Sequence, residues 1–131
     1  MTNHHHAFVW LDHRTAKVFH FDAEESQSEV VNSTHAHEHL HHKANSNDSG
    51  HAPVDKEFLE RVTKAITNAG AILIAGPGSA KTELHKHIQQ IHPQVATKIS
   101  AVEPLDHPSD GALLAHARRF FEADDRMRRQ V

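Results

Sequence analysis

The sequence of 131 residues contains no cysteine. Without thiols the chain forms no disulfide or thiolate metal site, so histidine and carboxylate side chains are the candidate metal ligands. No apolar run is long enough to cross a membrane, and none resembles the core of a signal peptide. These absences predict a cytoplasmic protein. The length predicts one domain, residues 1–131, that buries enough surface to fold without a disulfide or a bound metal.

Neither sign of charge dominates. The chain has 14 Lys and Arg against 17 Asp and Glu, which gives a formal net charge of −3 when histidine is neutral. Any contact with nucleic acid must therefore be local. The unusual number is 16 histidines, whose protonation shifts the net charge toward positive as the pH falls through about 6.5.

The hydrophobic pattern predicts the order of the secondary structure. Apolar runs rich in strand-forming residues predict strands, and apolar residues that recur on one helical face predict helices. The predicted strands are 7–12, 16–22, 29–34, 71–74 and 98–102, and the predicted helices are 55–68, 79–91 and one beginning at Ser109. Three antiparallel strands followed by alternating helices and strands predict an α/β fold of order βββαβαβα. Its five-stranded mixed sheet is flanked by helices in the ribonuclease-H-like arrangement.

The same pattern predicts the core. The predicted sheet core comprises Phe8, Trp10, Val18, Ile72, Ile74 and Ile99, and its helical cover comprises Val62, Ile66, Leu84, Ile88, Leu114 and Phe121. Ile91 follows Leu84 and Ile88 on the same predicted helical face.

The segment AILIAGPGSAKTEL, residues 71–84, predicts a buried strand, a turn and a helix. The turn consists of Gly76, Pro77, Gly78 and Ser79. Ser79 suits the position that caps the helix, and Lys81 lies in the first turn, beside free backbone N–H groups and the positive end of the helix dipole. A phosphate loop would require glycine where Ala75 and Ala80 stand, so a capped strand-to-helix turn is the better interpretation.

The sequence AGPGSAKTEL resembles the corresponding turn in the middle domain of the archaeal and eukaryotic class-one peptide-chain release factors and of the Pelota rescue factors. Residues 106–121, DHPSDGALLAHARRFF, are similar to the last turn and helix of that domain. Together with the order of elements, the resemblance extends over nearly the whole chain and is of the type found in stand-alone bacterial translational machinery proteins. It implies the ribosome, rRNA or tRNA as partner.

The resemblance does not extend to the hydrolytic motif. In that family the loop between the third strand and the first helix carries Gly-Gly-Gln, whose glutamine positions water on the ester of peptidyl-tRNA. This sequence contains no Gly-Gly-Gln, and residues 35–53 contain no glutamine. We therefore name no catalytic residue and expect a factor of the rescue or hibernation type rather than an enzyme. The candidate phosphate contacts are Lys43, Lys81, Arg118, Arg126, Arg128 and Arg129.

Residues 35–53, HAHEHLHHKANSNDSGHAP, predict a long exposed His-rich loop. If the third strand continued into it, alternate side chains would point to one side and could bind zinc, nickel or copper. These are His35, His37, His39 and His41. A metal-binding protein or metal-dependent hydrolase is thus the alternative function, and a polar loop that touches phosphate is the simpler interpretation. Asp12 ends the first strand, where a nuclease would hold metal, but a hairpin follows directly and a turn residue fits better.

Overall fold

A computed structural model describes residues 5–21, 26–33 and 55–129 of the chain. The His-rich segment 35–53 lies outside these ranges, and so do the predicted metal ligands and Lys43 within it. The side chains of residues 126–129 are likewise outside the described part. Among the described residues, no helix is both long enough and apolar enough to span a membrane.

Five strands form one mixed sheet, as predicted. They are β1 His6–Leu11, β2 Thr15–Phe21, β3 Ser26–Asn32, β4 Ala71–Gly76 and β5 Ile99–Pro104. Their spatial order is β3-β2-β1-β4-β5. β1 pairs antiparallel with β2, and β2 with β3, whereas β1 and β4 and then β4 and β5 are parallel. The sheet thus joins an antiparallel meander to strands whose crossovers are helical.

The helices are α1 Lys56–Ile66, α2 Ala80–Ile91, the short α3 Pro93–Ala96 and α4 Asp110–Arg129. α3 was not predicted. The sequence His92-Pro93 does end α2, but proline also fits the first position of a helix, where its missing N–H has no partner to lose. One more helical turn therefore follows before β5.

Alternating side chains of the sheet bury two separate clusters, one on each face. On the first face, Val9, Val18, Ile72 and Ile74 pack with residues of α1, α2 and α3. On the second face, the sheet residues pack against α4. They are Phe8, Trp10, Phe19, Phe21 and Leu73. The predicted core is confirmed, with Ile99 and Leu114 half-buried at its margins.

The inward position predicted for Ile91 is wrong. Its side chain is 57% exposed. Ile91 is the last residue of α2, where the chain turns into α3, and Val95 of α3 is buried in the cluster with Ile88. The unpredicted helix thus covers the part of the core that Ile91 would have covered.

Candidate functional site

The turns that follow β1, β4 and β5 meet at one end of the sheet, where the carboxyl ends of these three parallel strands lie side by side. We call it the carboxyl edge; it comprises residues 12–14, 77–79 and 105–109. In open α/β sheets, ligands bind outside the carboxyl ends of the strands. The predicted GPGS turn is therefore one of three segments that share this edge.

Close backbone packing holds the carboxyl edge together. A Cβ atom added at Gly76 would lie 2.1 Å from the carbonyl oxygen of Leu11, so β4 passes the end of β1 at a distance that only glycine allows. The N–H of Leu105 donates to the carbonyl of Gly76 at 3.0 Å. The indole N–H of Trp10 donates to the carbonyl of Asp106 at 2.8 Å. These contacts tie the connection after β5 to β4 and to β1.

Asp12 is a turn residue, as interpreted from the sequence. Its Oδ1 accepts hydrogen bonds from the N–H groups of Arg14 at 2.8 Å and Thr15 at 2.9 Å, the pattern of an aspartate that closes a turn. Its Oδ2 lies 3.8 Å from Nε2 of His107. Since one oxygen is occupied by the backbone of the turn, the arrangement favours a structural role over a nuclease metal site.

Ser79 is at the N-cap of α2, but its hydroxyl makes no capping hydrogen bond. Its φ of −88° and ψ of −8° are already helical, whereas a capping side chain needs an extended backbone. Its hydroxyl instead lies 3.4 Å from Nε2 of His13 and donates to Glu83 at 3.3 Å. The turn and the β1–β2 hairpin therefore contact each other through side chains. The prediction of a side-chain cap is wrong.

The carboxyl edge does not have the geometry of a phosphate loop. Such loops gather successive N–H groups through residues of positive φ, and no described residue has a positive φ. Glu83 supplies a negative charge in the first turn of α2. The ammonium of Lys81 donates to the carbonyl of Gly78 and so folds back onto the turn.

The structure does not bring the predicted phosphate contacts together. Lys81 is at the carboxyl edge, next to the first face of the sheet. Arg118 is on α4, which covers the second face, and its guanidinium lies 5.4 Å from the ring centre of Phe21. α4 continues to the opposite edge, where Asp125 lies 3.3 Å from His6 at the start of β1. The side chains of Arg126, Arg128 and Arg129 lie outside the described part.

A cluster of one carboxylate and two imidazoles joins α1 to the α2–α3 junction. Nε2 of His87 lies 2.8 Å from Oε1 of Glu60, and Nε2 of His92 lies 2.9 Å from both carboxylate oxygens. All three side chains are half-buried. Hydrogen bonds from His92 and then His87 hold the pKa of Glu60 below its ordinary value of 4.5. We call these residues the Glu–His cluster; histidine and glutamate are also metal ligands.

A second group of histidines lines an open cleft of about 400 Å³ at the other edge of the sheet. Nε2 of His5 lies 2.8 Å from Nδ1 of His20, and Nε2 of His20 lies 3.4 Å from Glu29. Such a chain can orient an imidazole for proton transfer. The described lining residues include no serine, threonine or lysine that it could activate as a nucleophile.

Sequence reasoning did not find the Glu–His cluster. Among 16 histidines, nothing in the local sequence distinguishes His87 and His92. Their carboxylate partner is 27 and 32 positions away along the chain. Only the packing of α1 against α2 brings the three together.

No family model matches the sequence, and no curated protein matches it. The solved structures do identify a class of fold. Most of the chain aligns with part of two Pelota structures and of an archaeal translation termination factor. This confirms the resemblance in fold that AGPGSAKTEL and the order of elements predicted.

Three structures illustrate the likeness. Pelota of Archaeoglobus fulgidus aligns with a TM-score of 0.62 at 12% identity, over 90% of this chain and 32% of that one. Pelota of Thermoplasma acidophilum gives 0.60 at 18% identity, over 83% and 30%. The archaeal translation termination factor aRF1 gives 0.53 at 10% identity, over 82% and 32%. The chain thus spans about a third of the length of each, and at these identities the likeness establishes the fold alone.

Proposed function

We propose that this protein is a non-catalytic factor that associates with the ribosome or with tRNA, in a rescue or hibernation role. The observation that carries the proposal is the fold match to Pelota over 90% of the chain with a TM-score of 0.62. Fold by itself does not determine function. The proposal therefore also draws on the sequence, in which the turn and the last helix resemble the same domain.

The absence of Gly-Gly-Gln from the sequence favours binding over ester hydrolysis. Hydrolysis needs a group that positions water on the ester, and two carboxylates near the turn that could act as one are engaged within the fold. Asp12 is engaged with the hairpin backbone, and Glu83 with Ser79. The rigid backbone contacts of this edge suit a surface that docks without rearranging.

Electrostatics limits how RNA can be contacted. The formal net charge is −3, so attraction to phosphate must come from individual side chains. Lys81 has three N–H donors, and the carbonyl of Gly78 uses one of them. The guanidinium of Arg118 lies 5.4 Å from the ring centre of Phe21, a distance that allows a cation–π contact on the surface of α4. Because the two cations are on different faces, they define two alternative contact surfaces.

Sedimentation through sucrose gradients over a salt series tests the proposal. We expect the tagged protein in lysate to travel with ribosomes or subunits at low salt and to dissociate as salt rises, because contacts to phosphate release counterions. Deletion of residues 35–53 should also weaken the association. A protein that stays at the top of the gradient at low salt, from growing and from starved cells alike, would refute the proposal.

Single charge removals then locate the contact surface. Lys81→Ala and Arg118→Ala each remove one cation from a different face. Loss of a phosphate contact lowers the slope of log affinity against log salt by about 1. Lys98→Ala is the matched control, because Lys98 donates to the carbonyl of Thr67 at the edge opposite Lys81. We expect the slope to fall for one of the first two variants and to stay unchanged for the control.

Zinc or nickel binding by His35, His37, His39 and His41 stays a prediction, because these residues lie outside the described part of the structure. Metal binding is the function to test next if the gradients show no ribosome association. Isothermal titration calorimetry with either metal, before and after replacement of the four residues by asparagine, measures it directly.

A further inference from the structure

The Glu–His cluster contains three potential metal ligands that come from two separately anchored parts of the fold. Glu60 is on α1, while His87 and His92 lie near and just after the end of α2. One ligand atom from each residue can be chosen so that all three lie within 4.8 Å of one another. The cluster is distant from the carboxyl edge, because α2 begins at that edge and the cluster lies at its other end.

The ligand atoms are spaced close to what a small divalent ion requires. Zn–N and Zn–O bonds of about 2.0–2.2 Å place neighbouring ligand atoms of a tetrahedral ion roughly 3.3 Å apart. The observed nitrogen-to-oxygen distances are 2.8 and 2.9 Å. An ion between them would need these pairs to open by roughly half an ångström, a shift that small rotations about the side-chain torsions of the three residues supply.

The chemistry of the set selects the class of ion. Two imidazoles and one carboxylate suit zinc and similar transition ions, whereas calcium and magnesium prefer oxygen ligands alone. Three protein ligands also leave one tetrahedral position for water. The exposed fractions of the Glu60, His87 and His92 side chains are 31%, 12% and 29%, so the cluster opens to solvent on one side.

Hydrogen bonds and core packing hold the backbone around the cluster. The N–H of His92 donates to the carbonyl of Ile88 at 2.8 Å, and Pro93 restricts the backbone of His92, the residue before it. Leu59 and Ile88, next to the ligands, are buried in the first core cluster. Ligands on such fixed elements lose little entropy on binding.

A hydrogen-bonded clasp is the competing explanation of the same contacts. In that case each imidazole donates one N–H to Glu60, and the cluster does no more than fasten α1 to α2. The two explanations differ in what zinc does, since an ion would replace the protons that bridge nitrogen and oxygen. We propose that Glu60, His87 and His92 bind one zinc-class divalent ion, which ties α1 to the α2–α3 junction and carries water at its open position.

The test must separate this site from the other histidines of the chain. The background protein is the full chain with His35, His37, His39 and His41 replaced by asparagine. Calorimetry with zinc chloride gives affinity and stoichiometry. Nitrogen-15 NMR of the imidazole rings then identifies which histidines change their nitrogen shifts on zinc addition.

In this background we expect one zinc equivalent to move the Nε2 resonances of His87 and His92. Glu60→Gln keeps the size of the side chain but removes its charge, and it should weaken zinc affinity at least about tenfold, the loss that even an indirect partner can cause. His92→Ala should do the same. The matched control is His85→Ala on the same helix, which should leave affinity and stoichiometry unchanged.

Circular dichroism establishes that each variant is folded before it is titrated. The proposal is overturned if the Nε2 resonances of His87 and His92 stay in place at saturating zinc. It is equally overturned if the folded Glu60→Gln and His92→Ala variants bind zinc as the background protein does. Either outcome identifies the cluster as a clasp and leaves the ribosome proposal untouched, because that proposal rests on the fold.

Discussion

Replacement of Gly76 by alanine is the sharpest test of the packing at the carboxyl edge. The added Cβ would lie 2.1 Å from the carbonyl oxygen and 3.3 Å from the carbonyl carbon of Leu11. Both are backbone atoms in a central strand, so no side chain can swing away to make room. The end of β4 must therefore move away from β1 by roughly an ångström to restore van der Waals contact.

That movement disturbs the hydrogen bonds that depend on the two strands. The bonds at risk are Leu105 N–H to Gly76 at 3.0 Å and the indole N–H of Trp10 to Asp106 at 2.8 Å. Two buried or partly buried hydrogen bonds at about 1 kcal/mol each, together with strain of about 1 kcal/mol in the strand, sum to roughly 3 kcal/mol. For a domain of this size, this corresponds to a fall of roughly 10 °C in Tm.

Thermal unfolding followed by circular dichroism, with urea unfolding at 25 °C, measures the effect. Two other glycines are matched controls. A Cβ at Gly78 would meet only the His13 ring at 3.8 Å, and at Gly111 nothing within 4 Å. We expect Gly78→Ala to be near neutral and Gly111→Ala to be neutral or slightly stabilising, because alanine favours the helix. A Gly76→Ala protein that melts within about 2 °C of the wild type would refute the assigned strand contact.

Three further predictions test the core, the Glu–His cluster and the chemistry. Ile74→Asp should abolish folding, because an unpaired charge at the fully buried centre of the sheet costs several kcal/mol; Ile91→Asp, at an exposed position, should cost less than about 1 kcal/mol, and equal losses would contradict the assigned core. Because the pKa of Glu60 is lowered in the folded protein, its stabilising contribution is present above pH 4.5 and is lost as the pH falls through the folded value. With a metal chelator present, Glu60→Gln should therefore lower the midpoint of urea unfolding at pH 7. The difference in midpoint between the variant and the wild type should narrow below pH 4.5; a difference that widens in acid would contradict the assigned hydrogen bonds. Purified protein should release no peptide from peptidyl-tRNA on ribosomes above the buffer rate, and release at a rate that scales with protein concentration would contradict the non-catalytic assignment.

The sequence was sufficient for the architecture because strand and helix periods were clear. Val18 and Phe19 of β2 lie on opposite faces, as the period of two in a strand requires. The order of elements predicted a mixed sheet of five strands, whereas the parallel pairing of β1 with β4 is known from the structure alone. The resemblance of AGPGSAKTEL to a translation-factor turn agreed with the same fold.

The site was less predictable, because its contacts are tertiary. The period of α2 placed Ile91 inward, yet α3 covers that part of the core instead. The residue type at position 79 predicted a side-chain cap. The backbone of Ser79 is helical instead, and its hydroxyl donates to Glu83. The clustering of Glu60 with two distant histidines depends on the packing of α1 against α2, which no local pattern encodes.

The most direct test of the central claim is ultraviolet crosslinking of the protein to RNA in intact cells, followed by sequencing of the RNA and mass spectrometry of the crosslinked peptides. We predict that ribosomal RNA or tRNA is enriched over a non-crosslinked sample and that crosslinked peptides include Lys81 or Arg118. Recovery of neither RNA above that background, in growing and in starved cells, would contradict the claim that this fold serves translation in this protein.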